Sequence, residues 1–360
     1  MTKPFSTTLR SADELIAHGL VPAAARDGLA AVTQRYQVAI TPAMADLIDP
    51  ADPGDPIARQ FVPTEAELQT AAHELADPIG DEAYAPVRGI VHRYPDRVLL
   101  KLASVCPVYC RFCFRRESVG QGGEAALGAE DLAAAIAYIA ATPQLFEVIV
   151  TGGDPLFLSP RRLAEVGEAL ACAAHVRVVR WHTRVPVVAP ERIDKNLVNA
   201  LQAATGKAVF VAIHCNHPRE LTTAARAAIS RLSGAGVSLV SQSVLLKGVN
   251  DDADVLERLM RELTALGVKP YYLHHADLAP GTGHLRVSIE AGQRIVAELR
   301  RRISGLAMPA YVLDIPGGFG KVPVAADHVG PVDPETRSRI LVDRLGQRHV
   351  YRDPSTEPGT

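Results

Sequence analysis

The chain has 360 residues, 48% of them hydrophobic, and its 38 Lys and Arg nearly balance its 40 Asp and Glu, for a net charge of −2. The length suits one α/β barrel plus an extra piece, and so small a net charge excludes a general field for nucleic acid or anionic membrane. No apolar run approaches the roughly 18 residues of a membrane span, residues 1–5 lead into a polar segment without an apolar h-region, and the five cysteines are clustered rather than spread as a disulfide framework. We therefore expect a cytoplasmic protein that handles a small molecule.

Residues 11–47 are Ala-rich with helical periodicity, and the prolines that follow from Asp49 forbid a continuous helix. This predicts a small helical N-terminal region and linker over 1–85, a main domain over 86–305 and a C-terminal segment and tail over 306–360. From Arg97 the chain alternates short β-branched runs with long amphipathic stretches, the pattern of βα units around a parallel sheet. Strands are predicted at 98–103, 147–151, 176–181, 208–214, 238–245 and 270–274. Helices are predicted at 130–141, 161–173, 194–203, 220–233, 254–266 and 289–303, with Asp194 and Asp254 as N-caps and Gly234 and Gly267 as stops. A seventh apolar run, 310–315, leads into Pro316-Gly-Gly-Phe-Gly-Lys321, and 336–352 reads as a hairpin or helix. Six units are two short of a closed eightfold barrel, so the expected fold is α/β, an open partial (βα)6 barrel. Barrels place chemistry at the C-terminal ends of their strands, and Cys106, Gly152-Gly153-Asp154, His182, His214, Gln242 and Asp277 all fall near such ends.

Three of the five cysteines occupy Cys106-Pro-Val-Tyr-Cys110-Arg-Phe-Cys113. Soft thiolates select iron–sulfur clusters, zinc or copper(I), and three at CxxxCxxC spacing leave one iron of a cubane cluster open. A zinc site completed by a distant residue, or buried structural thiols, fits the spacing as well. After the second strand, the backbone of Gly152 and Gly153 can approach a ligand closely, and their carbonyls with the Asp154 carboxylate can take an ammonium group; an ordinary capped turn is the plainer reading. The 316–321 loop fails the P-loop pattern, since Val322 follows the lysine. A lysine among glycines at a barrel mouth can form a Schiff base with a carbonyl cofactor, or can simply be exposed. Trp181 and Cys172 read as packing, Cys215 as no ligand, and the remaining histidines mostly as hydrogen-bonded filler.

CxxxCxΦC with the aromatic Phe112 resembles the radical S-adenosylmethionine (SAM) superfamily, whose partial barrel agrees with the six units read above. Together with His92-Arg93-Tyr94-Pro-Asp-Arg97, the TGGDPL segment, Thr183-Arg-Val-Pro-Val-Val, His214-Cys-Asn-His-Pro, Gln242-Ser-Val-Leu-Leu-Lys-Gly-Val-Asn-Asp and PGGFGK, it closely resembles the lysine 2,3-aminomutase family over 92–321. The resemblance implies a [4Fe–4S] cluster on Cys106, Cys110 and Cys113, with SAM chelating the open iron, Phe112 beside the adenine and Gly152, Gly153 and Asp154 at the methionine end. It implies pyridoxal 5′-phosphate (PLP) on Lys321, with Arg93, Tyr94, Arg97 and Gln242 around it, Arg115 on the substrate carboxylate, and Asp277 and Asp314 clamping lysine's distant ammonium. The implied reaction is the interconversion of L-lysine and β-lysine by 1,2-amino migration. The implied partners are the amino acid, a flavodoxin- or ferredoxin-type electron donor and at least a second copy of the chain, with neither nucleic acid nor membrane.

Longer members of that family carry a further cysteine group near the C-terminus that binds zinc. No cysteine follows Cys215 here, so zinc is not expected. Alternative expectations are an aminomutase serving lysine modification of a translation factor, one acting on another amino acid such as glutamate, and, in a different class, an iron–sulfur redox or regulatory protein without catalysis.

Overall fold

The computed structural model describes residues 6–122, 124–336 and 338–352. Nine strands form one sheet in strict chain order: β1 (Ile90–Tyr94), β2 (Arg97–Ala103), β3 (Glu147–Gly152), β4 (Val178–Thr183), β5 (Ala208–His214), β6 (Ser238–Leu245), β7 (Lys269–His275), β8 (Ala310–Ile315) and β9 (Gly320–Pro323). Each strand from β2 to β7 runs parallel to the next. Antiparallel β1 and β9 finish the two edges. The six parallel-strand connections contain helices, as parallel crossovers require. With α1 (Ala12–Ala17) and α2 (Arg26–Arg35) ahead of the sheet, these are α3 (Ala129–Ala140), α4 (Pro160–Ala171), α5 (Lys195–Leu201), α6 (Thr223–Gly234), α7 (Ala253–Ala265) and α8 (Ile289–Arg302). The partial (βα)6 barrel is therefore present, extended by one further parallel strand and two edge strands.

The local reasons are legible in the residues. Val148, Ile149 and Val150 of β3 are all buried, so both faces of the strand are covered, as in a parallel sheet under helices. Helix α4 starts on Ser159, which accepts from the Arg162 N–H at 3.3 Å, with Pro160 in its first turn. Its Leu163, Val166 and Leu170 face inward.

Three local expectations are corrected. β4 starts at Val178 rather than 176, because Val176 is buried in the preceding turn without joining the ladder. Asp252, not Asp254, caps α7, accepting from the Asp254 and Val255 N–H groups at 2.8 and 3.2 Å, while Asp254 pairs with Arg302. Cys172 is exposed at the end of α4 rather than in the core. Trp181 is fully buried, as expected for packing. The C-terminal hairpin is part of a separate antiparallel sheet of β10 (Val329–Val332), β11 (Ser338–Val342) and β12 (Arg348–Arg352). Among the described residues no helix is long and apolar enough to cross a membrane.

The N-terminal region is helical only in pieces, yet its Leu15, Leu29, Met44 and Phe61 join the same core as the barrel. It also grips the cysteine loop. Ala39 O accepts from the Tyr109 N–H at 3.1 Å and Gln60 O from the Arg111 N–H at 2.8 Å. Glu67, fully buried, takes Arg111 through Nε at 3.0 Å and also meets Arg116. The Arg116 guanidinium lies 3.5 Å over the Tyr36 ring. Burial disfavours the Glu67 charge, but the two arginines outweigh it and hold the carboxyl below its ordinary range. Removing one member of such a buried set leaves the others uncompensated, at about 3–5 kcal/mol. Glu67→Gln should lower the unfolding free energy by about that amount in urea denaturation; a loss under about 1 kcal/mol would show that the clamp is not needed.

Candidate active site

The cysteine loop leaves the C-terminal end of β2 and is pinned to the segment after β3. Gly153 and Asp154 donate their N–H groups to Ala103 O and Val105 O, at 2.6 and 2.9 Å. Gly152 has φ +115°, and a Cβ there would lie 2.2 Å from Ala103 O. The close approach these glycines permit is thus to the cysteine loop itself. The Asp154 carboxylate also points into protein, accepting from Thr183 Oγ1 at 2.7 Å and from the Arg184 and Leu156 N–H groups at 2.7 and 3.1 Å. What this turn can offer a ligand is mainly its backbone.

The three thiols line one cavity of about 600 Å³. Burial pushes Cys106 well above the ordinary thiol range, and the nearby Asp154, Cys113 and Cys110 add to the effect. Burial, with Cys110 beside it, pushes Cys113 up to about 11. Thiolate ligands must be deprotonated, so these three sulfurs together call for a strongly positive centre, which an iron–sulfur cluster provides. Phe112 sits between two of them, its ring centroid 5.5 Å from that of His214.

Arg93, Tyr94, Arg97, Arg115, Gln242, Asp277, Asp314 and Lys321 line the same cavity, with Phe112, Gly152, Gly153 and Asp154. Arg115, Arg93 and Lys101 are held by Asp81, a residue that the sequence does not single out. This buried carboxylate accepts from Arg115 Nε and Nη2 at 3.0 and 2.8 Å, and lies 3.3 Å from Arg93 Nη2 and 4.0 Å from Lys101 Nζ. Burial opposes its charge, but Arg115, Lys101 and Arg93 hold its carboxyl below the ordinary range. Arg97 stacks 3.8 Å over the Tyr94 ring, whose hydroxyl accepts from the Lys321 N–H at 2.8 Å. Gln242 Nε2 lies 3.4 Å from His182 Nδ1.

The acids Asp277 and Asp314 and the amine of Lys321 come from the end of β7, from β8 and from β9. Asp314 and Lys321 are cross-strand partners, and their side chains form an ion pair. Asp277, just beyond β7, is pushed up to about 7, by burial first and then by the nearby Asp314 charge. His182, His214 and His274 line the cavity too. Burial lowers all three, His214 to about 3, and keeps them neutral at neutral pH. By contrast His275 is filler, bonded to the Tyr311 hydroxyl at 2.7 Å.

Behind the thiols lies a second group that the sequence did not single out. Buried Arg184 donates to Cys110 Sγ at 2.9 Å, to Glu220 at 2.7 Å and to Gln60 at 2.6 Å. Only its place in the Thr183-Arg-Val-Pro block, after a strand, hinted at it. Cys215 is buried beside this group and burial pushes its thiol well up.

The model of the Radical SAM superfamily matches residues 100–259. The L-lysine 2,3-aminomutase of Clostridium subterminale is 42% identical over 303 residues, 84% of this chain and 72% of that protein. The chain belongs to the lysine 2,3-aminomutase family. Its fold is the partial barrel of the radical SAM superfamily, and a radical SAM domain supports a [4Fe–4S] cluster and SAM, for which the three thiols are a fitting donor set. Within the aminomutases the likeness spans more than one substrate name. A putative L-lysine 2,3-aminomutase of Aquifex aeolicus is 39% identical over 84% of this chain and 81% of its own length. The glutamate 2,3-aminomutase of Clostridioides difficile is 37% identical over 83% of this chain and 70% of its own.

Asp277 carries a stability cost. Its folded pKa lies above its unfolded one, so between about pH 4 and 7 the unfolded chain binds fewer protons and stability falls as pH rises. Asp277→Asn removes that cost. Denaturation of the ligand-free protein should show the variant gaining on the parent, by about 2 kcal/mol more at pH 8 than at pH 5; a gain independent of pH would contradict the assignment.

Proposed function

We propose that this protein is a radical SAM, PLP-dependent aminomutase that interconverts L-lysine and β-lysine. The observation that carries the substrate is that one cavity is lined both by Arg115 and by two acids, Asp277 and Asp314. An α-amino acid with a distant ammonium offers a partner to both kinds of charge, whereas glutamate offers a second carboxylate and no cation for the two acids. Glutamate is the second reading, kept because a glutamate aminomutase is among the relatives.

In this reading Cys106, Cys110 and Cys113 hold the cluster. Phe112 borders the adenine, and Gly152 and Gly153, held in place by Asp154, shape the methionine end of the SAM site. Arg93, Tyr94, Arg97 and Gln242 surround PLP, the arginines suiting its phosphate, and Lys321 bonds it. When bound, the cluster and SAM supply a 5′-deoxyadenosyl radical, and PLP supplies a π-system that delocalises the unpaired electron while nitrogen migrates. The chain's own part is orientation. Asp81 fixes the Arg115 fork by two of its nitrogens, so the remaining edge meets the substrate carboxylate already oriented, which reduces the entropy lost on binding. Asp277 and Asp314 receive the ammonium, and that cation in turn favours the ionised form of Asp277.

The test is an anaerobic preparation reconstituted with iron, sulfide, SAM and PLP, given a reductant and a panel of lysine, ornithine and glutamate. Lysine should turn over best, Asp277→Ala should cut its kcat/KM by about 10²-fold, and Lys321→Ala should abolish both turnover and the visible PLP absorbance. Glutamate turning over best, with lysine turnover untouched in Asp277→Ala, would overturn the substrate assignment.

A further inference from the structure

Lys321 Nζ meets two side chains. One is Asp314, its ion-pair partner across β8 and β9. The other is His274 of β7, whose Nδ1 lies 3.5 Å away. The same imidazole nitrogen is 3.9 Å from the Asp314 carboxylate. We propose that His274 accepts the Nζ proton when Lys321 attacks a carbonyl cofactor and passes that proton to the departing carbonyl oxygen as the covalent bond is completed. The proposal rests on the PLP reading above.

A protonated amine has no lone pair with which to attack, so a buried lysine that must bond a carbonyl needs a proton acceptor within reach. Asp314 is poorly suited to that task. Its charge stabilises the ammonium, and a carboxylate is a far weaker base than an amine. A free imidazole lies closer to the amine in basicity; in His274 burial first, and then the Lys321 charge, lower that basicity and keep the ring neutral, with a lone pair free to take the proton. The Lys321 charge is itself one of the influences that suppress protonation of His274. Once the proton moves, that influence is gone and the new imidazolium still faces Asp314. Until water forms, one positive charge therefore stays opposite one carboxylate, first on Lys321 and then on His274.

The groups facing Nζ are Asp314 from β8, His274 and the Tyr272 ring from β7, the latter 5.5 Å away, and Asp277 from beyond β7. His182 and His214, from β4 and β5, face His274. The step balances without a redox partner. Nζ gives one proton to Nδ1, and its freed lone pair forms the bond to an aldehyde carbon. The carbonyl oxygen then leaves as water, taking the proton held by His274 and a second one from Nζ.

The test follows growth of visible absorbance when PLP is mixed with PLP-free, cluster-containing protein between about pH 6 and 9. His274→Ala should slow the growth by at least about 10²-fold at neutral pH, flatten its pH profile and respond to added imidazole. The near-isosteric His274→Gln should be equally slow without gross change in packing, and iron content and far-UV circular dichroism should match the parent in both. Parent-like rates and pH profiles in the two variants would overturn the role of His274. Absorbance missing from the parent, or unchanged in Lys321→Ala, would instead overturn the PLP reading and this proposal with it.

Discussion

A buried carboxylate between two arginines holds the thiol loop to the rest of the molecule. The loop from Cys106 to Arg116 has no strand or helix of its own to fix it, and loops left to themselves are the mobile part of a fold. Glu67 replaces that missing ladder by ion-pairing with Arg111 and Arg116, both interleaved with the cysteines or directly after them. On the opposite side the backbone of Gly152 and Gly153 presses against the loop without a Cβ between. The N-terminal region, which looks like an appendage in the sequence, is thereby part of the wall that holds the three thiols at one cavity.

Charge in the cavity is shared unevenly among its acids. Left alone, Asp81 and the arginines around it pair with one another, and Asp314 pairs with Lys321. Among the described residues Asp277 has no ion-pair partner of its own, and burial, with the Asp314 charge beside it, raises its pKa. Buried groups whose ionisation is opposed are characteristic of functional sites, where a ligand supplies the missing charge. The arrangement is less stable without its ligand than it could be, the trade that active sites commonly make.

Most of this was legible where the residue types are rare and their spacing restricted. Three cysteines in eight positions, a glycine-flanked lysine and a regular alternation of strands and helices announce the cluster loop, the 316–321 loop and the barrel. Asp81, Glu67 and Arg184 were not legible. Acids and arginines are common in loops, and what sets these three apart is tertiary closure, which brings Glu67 against Arg111 across 44 positions of chain. The glycines after β3 were noticed for the right conformational freedom, but local sequence does not say which neighbour uses it, and the neighbour is the cysteine loop. The misplaced cap at α7 has the same origin: Asp251, Asp252 and Asp254 stand together, and only the backbone decides which one turns its oxygen to the helix.

The central claim is that one cavity recognises an amino acid by both of its charged ends. Calorimetric titration of the PLP- and SAM-loaded, unreduced protein tests it most directly, comparing L-lysine with the same skeleton lacking its distant amino group and with L-glutamate. The account predicts that lysine binds tightest, that loss of the distant amino group weakens binding by at least about tenfold, and that Asp277→Asn erases that difference. Equal affinity for lysine and its deaminated analogue, or tighter binding of glutamate, would contradict it.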